Sequence, residues 1–178
     1  MAKISQLRKS YINRKYAVMD DIQKIYLTWN DVDKLISNLI PKLMAYSYDL
    51  VIAITRGGII PGAIIAERLS IQQVLIASVD FYEDEEHDLD WPVFMQFPAD
   101  SFLRGKQVLI VDDIWDRGMQ VVNVTERVNQ AGGYPHSVVL HYKTHRSQFK
   151  DKSPDFFGAE LKDWVVYPWE VERGIIGT

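Results

Sequence analysis

Apolar and polar positions along the chain fall into two rhythms. Val32, Leu35, Ile36, Leu39, Ile40, Leu43 and Met44 recur at the three-and-four spacing of one helical face. That helix is expected to begin near Thr28, where Asp31 three positions on helps satisfy the free backbone N–H groups of the first turn. Pro41 lies inside the stretch and predicts a kink or an early end. Leu50-Val51-Ile52-Ala53-Ile54 follows the other rhythm, a short continuous apolar run of the kind buried on both faces of a parallel sheet. Thr55-Arg56-Gly57-Gly58 stops it. Residues 59–69, with Pro61 in the first turn, read as a helix, and residues 74–79 as the next strand. The sequence then repeats itself in kind: strand at 107–111, loop at 112–118, helix at 119–131 closed by Gly132-Gly133, strand at 137–142. Two such strand–loop–helix–strand units define an α/β domain on an open, mainly parallel twisted sheet flanked by helices.

Between the two units, residues 80–104 are too long and too polar at their start for an ordinary connection. Glu83, Asp84, Glu85, Glu86, Asp88 and Asp90 precede Trp91-Pro92-Val93-Phe94, so a flexible active-site flap or a partner surface is expected, with a solvated acidic loop as the plain alternative. Residues 1–24 read as an N-terminal extension and 25–178 as one domain. Lys3, Arg8, Lys9, Arg14 and Lys15 stand in that extension with no acid before Asp20. An organelle leader has similar composition, but a solvated extension is the simpler reading.

Composition narrows the function classes. Of 178 residues, 47 % are hydrophobic and 12 % aromatic, enough for a packed core and incompatible with chain-wide disorder. The formal net charge of −4 gives no overall reason to bind nucleic acid or an anionic membrane, and neither is expected as a partner. With Cys 0, disulfides, thiolate zinc sites and cysteine nucleophiles are excluded together. No apolar stretch approaches the roughly 18–20 residues of a membrane span, and a cytoplasmic protein is expected.

In an open parallel sheet, ligands bind beyond the carboxyl ends of the strands, so the loops after Ile54, Val79, Val111 and Tyr142 should converge. The strongest signal there is Val108-Leu109-Ile110-Val111-Asp112-Asp113-Ile114-Trp115-Asp116-Arg117-Gly118. The backbone N–H groups of Arg117, Gly118, Met119 and Gln120 would meet an anion such as a sugar phosphate at a helix N-terminus. Asp112 and Asp113 point to opposite sides of an extended chain, so one can face ribose hydroxyls or hydrated Mg²⁺ while the protein holds the other. Asp116 then stands near the reacting sugar carbon. A Walker B strand would need a G-x-x-x-x-G-K-[ST] partner, and the chain has none. A phosphoacceptor receiver domain would open on its acidic strand, and a dinucleotide fold would carry G-x-G-x-x-G where this chain has Thr55-Arg56-Gly57-Gly58.

These residues resemble the type I phosphoribosyltransferases, whose signature is an apolar strand, two acids, an apolar residue and a Thr/Ser-Gly phosphate loop. Residues 108–120 match through Asp116 and Gly118. Thr55-Arg56-Gly57-Gly58-Ile59-Ile60-Pro61-Gly62 is similar to the diphosphate-binding loop of the xanthine–guanine and hypoxanthine branch. Lys143 stands where that branch reads the purine O6, and Trp164 resembles the aromatic that stacks on the base. The likeness spans about residues 25–169 and implies a small C-terminal base-binding hood. It also implies a purine phosphoribosyltransferase acting on phosphoribosyl diphosphate and hypoxanthine, guanine or xanthine, as a homodimer or homotetramer.

The residue roles it implies follow the motifs. Thr55, Arg56 and Gly57 would bind the diphosphate, Asp112 and Asp113 the ribose and Mg²⁺, and Arg117, Gly118, Met119 and Gln120 the 5′-phosphate. Ile114, Lys143, Trp164 and the Val165 backbone would line the base, with Asp116 accepting the purine N7 proton. A catalytically weak, nucleotide-binding regulator is the alternative. It is motivated by two departures: Arg117 and Gln120 replace the hydroxyl residues of the phosphate loop, and residues 80–103 contain no Lys or Arg.

Overall fold

The computed structural model describes residues 24–84 and 89–171. In chain order the elements are β1 (Lys24–Tyr26), α1 (Trp29–Leu43), β2 (Leu50–Ile54), α2 (Ile59–Arg68), β3 (Val74–Asp84), β4 (Leu89–Gln96), α3 (Asp100–Leu103), β5 (Gln107–Trp115), α4 (Met119–Gln130), β6 (Tyr134–Tyr142), β7 (Phe156–Glu160), β8 (Trp164–Val166) and α5 (Pro168–Val171). The chain divides into two compact units. Asn30 to Lys162 forms the larger, and among the described residues Lys24 to Trp29 joins Asp163 to Val171 in the smaller.

The larger unit holds a six-stranded sheet in the order β4-β3-β2-β5-β6-β7. β2 pairs in parallel with β3 and β5, β5 with β6, and β6 with β7. β2 is therefore flanked on both sides and all five of its residues are buried, as its unbroken apolar run requires. On α1 the buried residues are Val32, Ile36, Leu39 and Leu43, the centre of the stripe read from the sequence; Leu35 and Ile40 are half-buried at its edges, Met44 is exposed past the helix end, and the helix ends in the turn that contains Pro41. α2 approaches the sheet closely: a Cβ at Gly62 would lie 3.0 Å from the Cβ of Ala53. Val121, Val124 and Val128 of α4 pack with Val108, Ile110 and Leu50 in one apolar cluster.

Several segments differ from the sequence reading: the strand expected at 137–142 already starts at Tyr134, β1, β7 and β8 have no counterpart in that reading, and two further differences bear on the site. The strand expected to stop at Val111 runs on through both acids to Trp115, because β6 pairs with it as far as Ile114↔His141 and Trp115↔Tyr142. A buried Trp115 anchors this extension. The expected loop after residue 80 begins as paired strand: β3 continues to Asp84 and runs antiparallel to β4 from Ser78↔Gln96 to Asp84↔Leu89. Phe81 and Phe94, packed against the core, give this pairing an inner face. The acidic residues Glu85, Glu86 and Asp88 lie outside the described residues, as do residues 1–23.

In the smaller unit β1 pairs in parallel with β8, Lys24↔Trp164 through Tyr26↔Val166. Leu27 N–H extends the ladder by donating to Val166 O at 2.9 Å. Tyr167 and Trp169 stack at 4.6 Å between centroids, and Trp29 meets Trp169 at 6.0 Å. Glu170 closes the start of α5 by accepting from Tyr167 N–H at 2.8 Å. No helix of the described residues is long and apolar enough to cross a membrane.

Candidate active site

β2, β5 and β6 run parallel, so their carboxyl ends open at one edge of the larger unit. The loop after β2 starts with Thr55, whose N–H donates to Ala77 O at 2.8 Å, and the Thr55–Arg56 peptide is cis. Gly57 lies directly over Asp113: a Cβ there would fall 2.3 Å from the carboxylate carbon and from both of its oxygens. At Gly58 a Cβ would come within 2.2 Å of Val111 O. A side chain at Gly58 would have to displace backbone, and one at Gly57 would have to displace the Asp113 carboxylate or the loop itself. Arg56, between them and β2, is exposed.

The acid pair is asymmetric. Asp112 is buried and its Oδ1 accepts from Asp113 N–H at 2.9 Å. Burial, and after it the neighbouring Asp113, pushes the Asp112 carboxyl well above the usual carboxylate range, against the opposing effect of that hydrogen bond. Asp112 is thus the acid the protein holds, and Asp113, in the cradle formed by Gly57, is the one set toward the loop. No group of three His, Cys, Asp or Glu side chains among the described residues forms a metal cage. Two adjacent carboxyl groups are oxygen ligands of the kind a hard cation such as Mg²⁺ takes, one or two carboxylates with the rest of its shell from substrate oxygens and water.

After β5 the chain turns at Gly118, with φ +86 in the left-handed region, and a Cβ there would strike the Trp115 ring at 2.3 Å. Trp115 lies beneath the turn. Its Nε1–H donates to Ser147 Oγ at 3.1 Å, and its ring meets Tyr142 and Phe149 edge-on. α4 then starts at Met119, with no acidic residue in its first turn to offset the positive end of the helix dipole. The first-turn N–H groups have no intrahelical acceptor, an arrangement that can meet an anion. The side chains of Arg117 and Gln120 are exposed beside it.

Asp116 meets two cations. Its Oδ1 is 2.9 Å from Arg146 Nε and 3.7 Å from Lys143 Nζ, and Lys143 is only 4 % exposed. That buried oxygen accepts no hydrogen bond of acceptable geometry among the described residues. Ile114, half-buried, precedes this pair on β5. His141, two positions before Lys143, has its pKa lowered to about 4 by burial and, secondarily, by the Lys143 charge, so it is neutral at pH 7.

The structure thus brings together Gly57 with Asp113, and Asp116 with Lys143. Trp164 and Val165 belong to the smaller unit, where Trp164 is 39 % exposed and Val165 is buried. The sequence reading passed over Arg146, Ser147 and the anchoring role of Trp115. A basic residue three positions after Lys143 was the available signal, but its meaning depends on the turn. Arg146 N–H and Ser147 N–H both donate to Lys143 O, at 3.1 and 3.2 Å.

The phosphoribosyl transferase domain family matches residues 18–174. The chain belongs to that family. A xanthine-guanine phosphoribosyltransferase of Idiomarina loihiensis is 27 % identical over 151 residues, covering 84 % of this chain and 88 % of that protein. The structure is similar to a purine phosphoribosyltransferase from Pyrococcus horikoshii, with TM-score 0.72 and 33 % identity over 83 % of this chain and 94 % of that one. It is also similar to a hypothetical protein from Neisseria gonorrhoeae solved with bound ppGpp, with TM-score 0.72 and 26 % identity over 86 % of this chain and 94 % of that one.

Proposed function

We propose that this protein is a purine phosphoribosyltransferase of the salvage type. It joins N9 of a 6-oxopurine (hypoxanthine, guanine or xanthine) to C1′ of phosphoribosyl diphosphate while the C1′–oxygen bond to diphosphate breaks. The products are a nucleoside 5′-monophosphate and diphosphate. The observation that carries this reading is the Asp116–Lys143 pair, which sets an acceptor and a donor 3.7 Å apart beside the α4 anion site. A 6-oxopurine offers the complement: an N7–H for Asp116 and an O6 acceptor for Lys143. Family membership and the relatives named above support the same substrate class.

The remaining roles follow from position. The turn from Arg117 to Gln120 takes the 5′-phosphate on backbone N–H groups, and Thr55, Arg56 and Gly57 receive the diphosphate. Asp113, with Asp112 behind it, takes the ribose hydroxyls and would hold Mg²⁺ jointly with substrate oxygens. When bound, that ion supplies positive charge against the departing diphosphate, where most of the transition-state charge develops. Ile114 lines the base. Residues 25–178 act as one catalytic domain with 1–24 outside it, and the enzyme is a cytoplasmic homodimer or homotetramer. Light scattering on the purified chain tests the last point.

The deciding experiment supplies phosphoribosyl diphosphate and Mg²⁺ with hypoxanthine, guanine, xanthine or adenine and follows nucleotide by chromatography. Turnover of a 6-oxopurine is the expected result, and no product with any of the four overturns the reading. A second reading, a nucleotide-binding regulator, is favoured by the ppGpp found in the Neisseria gonorrhoeae relative and by Arg117 and Gln120 in the phosphate loop. It predicts a raised melting temperature with guanine nucleotide and no turnover.

A further inference from the structure

Arg146 has no part in the reading above, yet its guanidinium approaches Asp116 more closely than Lys143 does, 2.9 Å against 3.7 Å. Neither contact gives Oδ1 an aligned hydrogen bond, so the buried oxygen is held by charge while its acceptor capacity stays open. A buried acceptor left in that state is costly unless a ligand brings the donor.

The segment carrying Arg146 is fastened on both sides of Asp116. Trp115 Nε1–H donates to Ser147 Oγ at 3.1 Å, and Gln148 N–H donates to Arg117 O at 3.0 Å. Ser147 Oγ in turn donates to Phe149 O at 3.0 Å, and the Lys143 carbonyl closes the turn from within. Trp115 and Arg117 are the immediate neighbours of Asp116, so the loop after β5 and the Arg146 turn are tied together on both sides of that residue. The Arg146 side chain is 39 % exposed, and its removal opens no hole in the core.

We propose that Arg146 is a positioning residue for Asp116: its guanidinium, carried on a turn latched to the phosphate loop, holds Oδ1 beside Lys143 with a lone pair open to the N–H of the incoming base. This inference rests on the purine reading. Arg146 itself touches neither substrate, and its effect passes through the orientation of Asp116.

The test compares wild type, Arg146→Ala and Arg146→Lys with a 6-oxopurine, phosphoribosyl diphosphate and Mg²⁺, with thermal melts to confirm folding. Misplacing a reacting group by about 1 Å costs on the order of 100-fold, so Arg146→Ala should lose about 10- to 100-fold in kcat with KM for phosphoribosyl diphosphate nearly unchanged. Arg146→Lys should recover part of the loss. Added guanidinium ion should restore Arg146→Ala but not the double variant that also carries Asp116→Asn. An active wild type with Arg146→Ala at equal kcat overturns this proposal alone, as does a loss that guanidinium cannot rescue. An inactive wild type overturns the purine reading and this proposal with it.

Discussion

The loops that follow β2 and β5 do comparable work, each ending a buried parallel strand and opening a helix, but they are held in shape by different means. In the first, backbone is packed directly on backbone and carboxylate: Gly57 on Asp113, Gly58 on the carbonyls of Val111 and Ile54. In the second, an indole is inserted beneath the turn, and the chain is tied to a third segment through Ser147 and Gln148. The first arrangement admits no side chain at the points of contact. The second supports the backbone from below and leaves the outward side chains of residues 117 and 120 unconstrained. That difference explains how Arg117 and Gln120 stand where the resemblance leads one to expect hydroxyl residues.

The largest effect should come from filling the contact in the first loop. Gly57→Ala places a methyl group 2.3 Å from the Asp113 carboxylate, which forces either the loop or the acid aside. A displacement of about 1 Å at the reacting centre is worth on the order of 100-fold in rate, and kcat/KM for phosphoribosyl diphosphate should fall by at least that much. Steady-state kinetics read it directly. A variant with near-normal kcat/KM would mean the close approach is not what holds the loop.

The second loop should be the more sensitive to acid, because its strand neighbour is polar. His141 lies opposite Ile114 in the β5–β6 register and has its pKa depressed to about 4 by burial. Depression of a histidine pKa on folding means that the unfolded chain binds the proton first. The stability it represents is complete above the unfolded pKa of about 6.5 and is lost as pH falls toward 4. Between pH 7 and pH 5 that loss is about 2 kcal/mol. Asp112, whose carboxyl is raised by burial, works in the opposite sense and regains stability as it protonates. Urea denaturation of wild type and His141→Gln across this window separates the two, and wild type should show the steeper acid-side decline.

Removing the indole donor while keeping an aromatic ring is a milder intervention. Trp115→Phe loses the hydrogen bond to Ser147 Oγ and part of the ring area against Tyr142 and Phe149. An ordinary hydrogen bond is worth about 1 kcal/mol net, so a several-fold rise in KM for phosphoribosyl diphosphate is expected, with stability lowered by more than that because the smaller ring leaves space in the core where Trp115 is buried. Stopped-flow binding or initial-rate kinetics checks it. An unchanged KM would detach the Arg146 turn from the phosphate loop.

The contrast between the loops also shows what sequence can convey. The β2 strand, the α2 and α4 helices and the acid–acid–Gly run are legible because each is specified by its own residues: an unbroken apolar run, a helical stripe, a glycine before a helix. The extension of β5 through Asp112 and Asp113 is not, since β6 sustains it from outside and two acids read locally as loop. β1 is harder still, because Lys24–Tyr26 becomes a strand only by pairing with Trp164–Val166 at the far end of the chain. Among candidate site residues, Asp112, Asp113, Asp116 and Gly118 announce themselves by adjacency. Arg146 does not, because its approach to Asp116 is made by a turn on the Lys143 carbonyl that no local pattern marks.

The smallest effect tests the comparison most sharply. Arg117 and Gln120 are exposed, and the donors of the proposed anion site are backbone N–H groups whose placement depends on Gly118 and Trp115. Arg117→Thr restores a hydroxyl of the expected type and removes one exposed cation, two changes of opposite sign for a phosphate. A solvent-screened charge and one neutral hydrogen bond are each worth up to about 1 kcal/mol and act in opposite directions, so KM for phosphoribosyl diphosphate should move by no more than about 5-fold in either direction. The same substitution leaves the Gln148 N–H bond to the residue 117 carbonyl in place, so the latch to the Arg146 turn is preserved. A change of 10-fold or more would show that the side chain, and not the backbone over the indole, sets the phosphate site. The two loops would then differ in their contacts but not in how they are held.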